Sequence, residues 1–334
     1  MDTFLQQIVN GVTLGSVYAI VALGYTMVYG IIQLINFAHG DVVMLGAMVA
    51  YSVITVLVGA RVPLPPLAIV VIATLCAIPV CMVVGYALER VAYRPLRNAP
   101  RLAPLITAIG LSIVLENLAL IIWGRAPLPY PQIIDTITYR LTSSPDGATI
   151  TNVQIAIVGI SVVMMAGLLL LIYRTKIGVA MRATAQNAQV AGLMGIDVNR
   201  VISITFIIGS GLAAVAGVMD GSYYGVAHYQ MGFILGLKAF TAAVLGGIGN
   251  LGGAMLGGLL LGVIEALGAG YVGELTNLCH LSGWSHALAL RCASDPHLAL
   301  FGSNYQDVFA FVVLILVLVF RPSGLLGERV SDRA

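Results

Sequence analysis

Charge is what this sequence has least of. Of its 334 residues only 9% are Asp, Glu, Lys or Arg, while 59% are hydrophobic; soluble domains carry about 25% charged residues. A water-soluble core of this length has nowhere to put so much apolar surface, so the solvent for most of the chain is lipid. Basic residues are missing before Arg61, which removes the positive start of a secretory signal, and the first apolar stretch is too long for a signal core. It reads as a retained first helix. No G-x-x-x-x-G-K-[S/T] run and no Gly-Lys pair occurs, so any ATP-driven role must borrow its ATPase from another chain. The net charge of +2 says little, because placement outweighs the sum in a membrane protein. No nucleic-acid partner and no cofactor is expected.

What is present is a series of apolar segments at 8–31, 42–59, 67–88, 104–124, 153–173, 201–220, 233–248, 251–270 and 305–320. Each is near the length needed to cross a hydrocarbon core about 30 Å thick. Backbone groups in lipid must be satisfied internally, and unbroken apolar runs lack the alternation of a barrel, so these are helices. The expected fold is all-α: one polytopic transmembrane helical bundle over 1–334, with about eight to nine membrane segments and no room for a sizeable soluble domain. Basic residues set the orientation. Arg90, Arg94, Arg97 and Arg101 share one loop, Arg174, Lys176, Arg182 and Arg200 a second, and Arg321, Arg329 and Arg333 the tail. The alternate loops hold only Arg61, Arg125, Arg140 and Arg291. This bias predicts the N-terminus outside and the C-terminus cytoplasmic. The weak point is 233–270, where Gly246 to Gly253 reads equally as a tight turn or as the tip of a re-entrant pair. Glycines and alanines at four-residue spacing (Gly11, Gly15 and Ala19; Gly209, Ala213, Gly217 and Gly221; Gly258, Gly262, Ala266 and Gly270) predict close helix packing.

The longest cytoplasmic segment runs over 174–200. Ala180 to Met194 reads as one short amphipathic helix, polar at Arg182, Gln186 and Gln189 and apolar at Val190, Leu193 and Met194. Gly195 ends it, and Asp197 or Asn199 caps the next helix. Such an amphipathic helix is either an ordinary linker or an element shaped to dock into a groove on a soluble partner.

Here the pattern becomes specific. Arg182-Ala-Thr-Ala-Gln-Asn followed by Leu193-Met-Gly-Ile-Asp-Val-Asn-Arg resembles the coupling segment of permeases in the branched-chain amino acid (leucine/isoleucine/valine) ABC importer family. The resemblance extends to Asn10-Gly-Val-Thr-Leu-Gly-Ser, Ile35-Asn-Phe-Ala-His-Gly-Asp, Glu89-Arg-Val-Ala-Tyr-Arg-Pro, Lys238-Ala-Phe-Thr-Ala-Ala and Arg321-Pro-Ser-Gly-Leu-Leu-Gly. It implies a bacterial inner-membrane permease that performs no chemistry. Its partners would be a second homologous permease, two cytoplasmic ATPase subunits that bind the ATP, and a periplasmic amino-acid-binding protein. The ATPase-coupling residues implied are Arg182, Ala183, Gln186, Asn187, Leu193, Gly195 and Ile196. Permeases of urea or short-amide ABC importers share much of the motif set and are the alternative.

Polar interruptions inside the apolar segments are the path or gate candidates: Asn36, His39, Gly40, Asp41, Glu116, Lys238, Thr241 and Glu265. An uncompensated Asp at the membrane centre costs ~2.5–3.5 kcal/mol on insertion scales, so Asp41 lies at the interface or faces protein or water. The run from Ile35 to Asp41 is then either a capped cytoplasmic turn or a gate. Lys238 and Glu265 fall on neighbouring antiparallel segments and are expected to pair inside the bundle. Asp220 and the tyrosines from Tyr223 to Tyr229 lie near the outer face, where aromatic anchoring is the default. An intramembrane hydrolase centred on Ser112 is excluded by the missing second glycine and the lack of a nearby His, and the scarcity of intramembrane carboxylates argues against an ion-driven carrier.

One stretch departs from the family pattern. The outer segment 272–303 is longer than expected and holds Cys279, His280, Trp284, His286, Cys292 and His297. Two cysteines in an oxidising compartment can bridge, so a Cys279–Cys292 disulfide is the expectation. The spacing is too loose for a metal site. Cys76 and Cys81 belong to the third segment and read as packing residues.

Overall fold

The structure is a computed structural model describing residues 2–97, 99–100, 102–142, 147–275, 305–321 and 323–327. Eleven helices account for almost all of it: α1 Asp2–Ile32, α2 His39–Gly59, α3 Pro66–Ala87, α4 Leu102–Trp123, α5 Asn152–Arg174, α6 Lys176–Gln186, α7 Ala188–Leu193, α8 Val198–Tyr224, α9 Met231–Gly246, α10 Leu251–Leu275 and α11 Gln306–Phe320. A π-helical turn, Leu88–Tyr93, extends α3. Seven helices are long and apolar enough to cross a membrane, and α9 and α11 supply two shorter apolar ones. All nine anticipated apolar segments are therefore helical.

Local sequence explains the helix ends. Pro65 and Pro66 open α3, where a missing N–H costs nothing. Thr151 and Gln154 form a reciprocal capping box on α5. Gly225 closes α8 at φ +68°, a left-handed conformation that favours glycine.

Burial divides the helices into a centre and a jacket. α1 and α8 are mostly buried, whereas α3, α4 and α5 expose most of their apolar surface. That exposed face, including Leu75, Ile121 and Val163, needs lipid or another apolar surface against it. Small residues let the central helices approach. α1 and α10 run antiparallel with Gly11, Gly15 and Ala19 of one against Val263, Leu259 and Gly258 of the other; a Cβ on Gly15 would lie 2.7 Å from the Leu259 Cα. α2 meets α8 in the same way, Gly46 against Ala214. The four-residue stripes are thus contact faces.

The structure departs from the sequence-based expectation in two places and, at 246–253, takes the tight turn that was one of the two alternatives. First, α2 begins at His39 rather than near residue 42. Gln33 takes a left-handed φ of +56°, and the chain then turns back into the bundle so that the His39 ring sits against Gly24, well inside α1. At that turn, α9 and α10 are an antiparallel pair joined at Gly247–Asn250, and α9 starts beside the N-terminus of α2, Gly232 and Gly236 packing on Gly40. At 16 residues α9 is ~24 Å long, short of a full crossing. Second, the all-α bundle carries two small antiparallel ribbons. β1 Leu128–Pro129 pairs with β4 Val226–Ala227, and β2 Thr138–Arg140 with β3 Thr149–Thr151. The second lies wholly within the α4–α5 connection; the first ties that connection to the end of α8. Tyr130 is buried there against Gly221 and Tyr51, and burial pushes its phenol above the ordinary value. His228 lies beside this ribbon; its Nδ1 accepts from the Gln230 N–H at 3.2 Å, and partial burial holds it below the usual imidazole value.

Candidate functional site

The path candidates separate into two buried groups. The first surrounds the start of α2. Asn36, His39 and Asp41 are all buried. The Asn36 Oδ1 accepts from the Tyr93 hydroxyl at 2.8 Å, linking the turn to the π-helical end of α3. His39 meets the Tyr25 ring edge-on at 4.9 Å between centroids. Asp41 occupies the first turn of α2, where the helix N-terminus favours a carboxylate, and it faces Ser112 and Glu116 of α4. Gly40 is required by close approach: its Cβ would lie 2.8 Å from the Gly236 Cα. The run from Ile35 to Asp41 is thus neither solvated nor a surface turn. It is the crossing point of α1, α2, α8 and α9. Gly40→Ala is expected to lower bundle stability by about 1–3 kcal/mol through overpacking, read as a lower thermal midpoint of the purified protein in detergent.

The second group centres on Lys238 of α9. Its Nζ lies 2.7 Å from Glu265 Oε1 on α10, 2.7 Å from Asp307 Oδ1 on α11 and 3.4 Å from the Tyr18 hydroxyl on α1. Tyr18 in turn donates to Glu265 Oε2 at 3.0 Å. Lys238 and Glu265 are paired, and one buried ammonium joins four helices. Thr241 also lies on α9, one turn further on, but its hydroxyl is spent on the Leu237 carbonyl at 2.8 Å. Glu116, on α4, belongs to the first group and not to this one.

The coupling candidates lie on an arm made by α6 and α7. The single helix expected over 180–194 is two. Asn187, at φ −158°, ends α6 and starts α7, its Oδ1 accepting from the Gln189 and Val190 N–H groups at 3.1 Å each. Asn competes with the helical backbone in this way, which is why the break falls there. α7 closes in a Schellman arrangement: Gly195, at φ +87°, donates to the Gly192 carbonyl and Ile196 to the Ala191 carbonyl. Asp197 caps α8 through the Arg200 N–H at 3.1 Å. Arg182, Gln186 and Asn187 are exposed, Ala183 and Ile196 half-buried. The Arg182 guanidinium stacks over the Tyr173 ring at 5.2 Å. Leu193 and Met194 are 86% and 80% exposed, a pair of large apolar side chains at the tip of the arm. Behind α6, against the end of α1 and the α9–α10 turn, lies an open cavity of about 1330 Å³ reached by Arg182, Gln186, Gln33, Asn250 and Arg321.

Sequence reasoning missed three participants. Asp307 and Tyr18 share Lys238. Glu89, fully buried, binds Arg97 and accepts from the Ser203 hydroxyl at 2.6 Å, while Arg97 also reaches Asn199. That network fixes the α3 extension to the base of α8, next to the arm. Its only signal was an acidic residue at the head of an otherwise basic loop. Cys279 and Cys292 lie outside the described residues, as does almost all of 272–303. Cys76 is exposed and Cys81 buried, both as free thiols.

The comparisons with known proteins cover this whole framework. The family model for the branched-chain amino acid transport system permease component matches residues 7–318. The chain is 46% identical over 326 residues to the high-affinity branched-chain amino acid transport system permease protein BraD of Pseudomonas aeruginosa, covering 97% of this chain and 96% of that one. It is 42% identical over 325 residues to the high-affinity branched-chain amino acid transport system permease protein LivH of Escherichia coli, again covering 97% and 96%. No solved structure matches the chain. With a family model spanning nearly its full length and relatives matching over the same extent, this multi-pass membrane protein belongs to the permease components of branched-chain amino acid transport systems.

Proposed function

We propose that this chain is the membrane-spanning permease subunit of an ABC importer in the bacterial inner membrane, and that it forms the path for branched-chain amino acids together with a second, homologous permease. The observation that carries the reading is its near-full-length identity to BraD and LivH, both named as high-affinity branched-chain amino acid transport permeases. Two cytoplasmic ATPase subunits supply ATP hydrolysis, because this sequence has no phosphate-binding loop of its own. A periplasmic amino-acid-binding protein delivers the solute. The excess of basic residues around α6, α7 and the C-terminal tail supports a cytoplasmic position for that end, and with it an external N-terminus.

In this reading the α6–α7 arm is the lever. Its exposed apolar tip suits a groove on an ATPase, and the space behind α6 gives the arm room to shift. Closure of the ATPases moves the arm, α8 and α5 carry the displacement into the bundle, and the crossing point at Gly40 is where access alternates. Uptake into vesicles holding the assembled complex tests the solute. Labelled leucine is expected to accumulate with ATP and binding protein, and urea and glutamate are not. Urea uptake without leucine uptake would assign the chain to the short-amide importers instead.

A further inference from the structure

The π-helical turn Leu88–Tyr93 touches the attachment of the arm and the crossing point at once. Its backbone closes between the Arg94 N–H and the Glu89 carbonyl at 2.8 Å, five residues apart, one more than an α-helical bond spans. On one side, the fully buried Glu89 carboxylate accepts from the Ser203 hydroxyl at 2.6 Å and binds Arg97. Arg97 also donates to Asn199 Oδ1 in the first turn of α8, four residues after Gly195 closes α7. On the other side, the Tyr93 hydroxyl donates to Asn36 Oδ1 at 2.8 Å, three residues before α2 starts. The Tyr93 ring centroid lies 5.2 Å from that of Phe206, one turn along α8 from Ser203. Val28, Ala92, Tyr93, Ala108, Ile202 and Phe206 pack as a buried apolar cluster apart from the main core. Elsewhere α3 and α8 meet without charge, Gly85 against Ser210 and Gly211 against Met82. A buried ion pair adds little stability over apolar side chains of the same volume. Adhesion alone therefore does not account for Glu89 and Arg97.

We propose that this turn passes movement of the arm to the crossing point. Arg97 and Glu89 grip the base of α8, and Tyr93 hands the displacement to Asn36, ahead of α2. The inference rests on the importer reading above and adds positioning residues to it. A cluster packed apart from the core and bonded at both edges shifts as one body, because packed interfaces switch between discrete arrangements. The glycine contacts of α1 with α10 meanwhile hold the main core in register.

The test is the amount of labelled leucine carried per ATP hydrolysed by the assembled complex in vesicles, supplied with loaded binding protein. Tyr93→Phe keeps the ring against Phe206 and removes only the hydroxyl. It is expected to retain assembly and ATP hydrolysis, while leucine carried per ATP falls roughly twofold to tenfold, the range of one neutral hydrogen bond. Asn36→Ala breaks the same bond from the other end and is expected to lower the ratio likewise. The double variant is then no worse than the poorer single one. An unchanged ratio in Tyr93→Phe overturns the proposal. A merely structural bond gives that result, with transport and hydrolysis falling together and the thermal midpoint lowered. Losses that multiply in the double variant also overturn it, because they place the two residues on separate routes. Should Tyr93→Phe fail to assemble, Ser203→Ala, at the far side of the link, decides by the same ratio. An unaltered complex that carries no leucine under any condition overturns the functional reading instead.

Discussion

Lys238→Met is expected to destabilise the bundle by about 3–5 kcal/mol, because it leaves a buried glutamate with no opposite charge. Glu265 is 1% exposed, and its remaining hydrogen bond, from the Tyr18 hydroxyl, neutralises nothing. The reverse substitution behaves differently. Glu265→Gln leaves Lys238 with Asp307 at 2.7 Å, so its cost is expected to be smaller. The double variant Lys238→Met/Glu265→Gln removes both charges and is expected to recover much of the loss seen in Lys238→Met alone. Thermal unfolding of the unaltered protein and the three variants in detergent, with each midpoint shift converted to a free-energy difference, gives the coupling energy. A double variant no more stable than Lys238→Met would show that the pair is incidental to the fold. Equal costs for the two single variants would instead deny Asp307 its share of Lys238.

That asymmetry also shows where sequence reasoning stops. Lys238 and Glu265 were legible because their segments are consecutive and antiparallel, joined by a glycine-rich run that reads as a tight turn or a re-entrant tip, either of which sets the two segments side by side. Asp307 was not. It belongs to α11, beyond the long segment 272–303, and nothing in linear order brings α11 back beside α9. The same contrast holds for the fold. Nine apolar segments were readable because lipid demands long uninterrupted runs. The inward turn before His39 was hidden, since an apolar stretch with an Asn, a His and an Asp is compatible with a surface turn and with a packed crossing. Only the glycines decide between them: Gly24 admits His39, and Gly40 admits α9. The break at Asn187 was open to prediction from the tendency of Asn to cap. A run of strong helix formers on both sides outweighed it, and the side-chain bonds to Gln189 and Val190 show which influence prevailed.

The arm carries the other large effect. Leu193→Asp is expected to abolish solute-stimulated ATP hydrolysis in the assembled complex while leaving membrane insertion intact. Leu193 is 86% exposed, so within this chain it supports little, and its replacement has no core to disturb. If the side chain docks into a groove on an ATPase, removing it forfeits about 1.5–3 kcal/mol of apolar burial. A buried charge adds to the penalty, so the association weakens by roughly tenfold to more than a hundredfold. Asn187→Ala offers a graded comparison. It removes the cap that sets the angle between α6 and α7, worth roughly 1 kcal/mol, and is expected to reduce coupling less severely. Arg182 sits on the other side of the same hinge, stacked on Tyr173, which ties α6 back to the end of α5. Loss of that stacking in Arg182→Ala is expected to loosen the arm from the bundle, leaving ATP hydrolysis measurable but less responsive to solute. The measurement is ATP hydrolysis by the reconstituted complex with and without loaded binding protein, beside the yield of permease in the membrane. Unchanged stimulation in both Leu193→Asp and the double variant Leu193→Asp/Met194→Asp would refute the docking role, because these two are the large apolar side chains displayed at the tip of the arm.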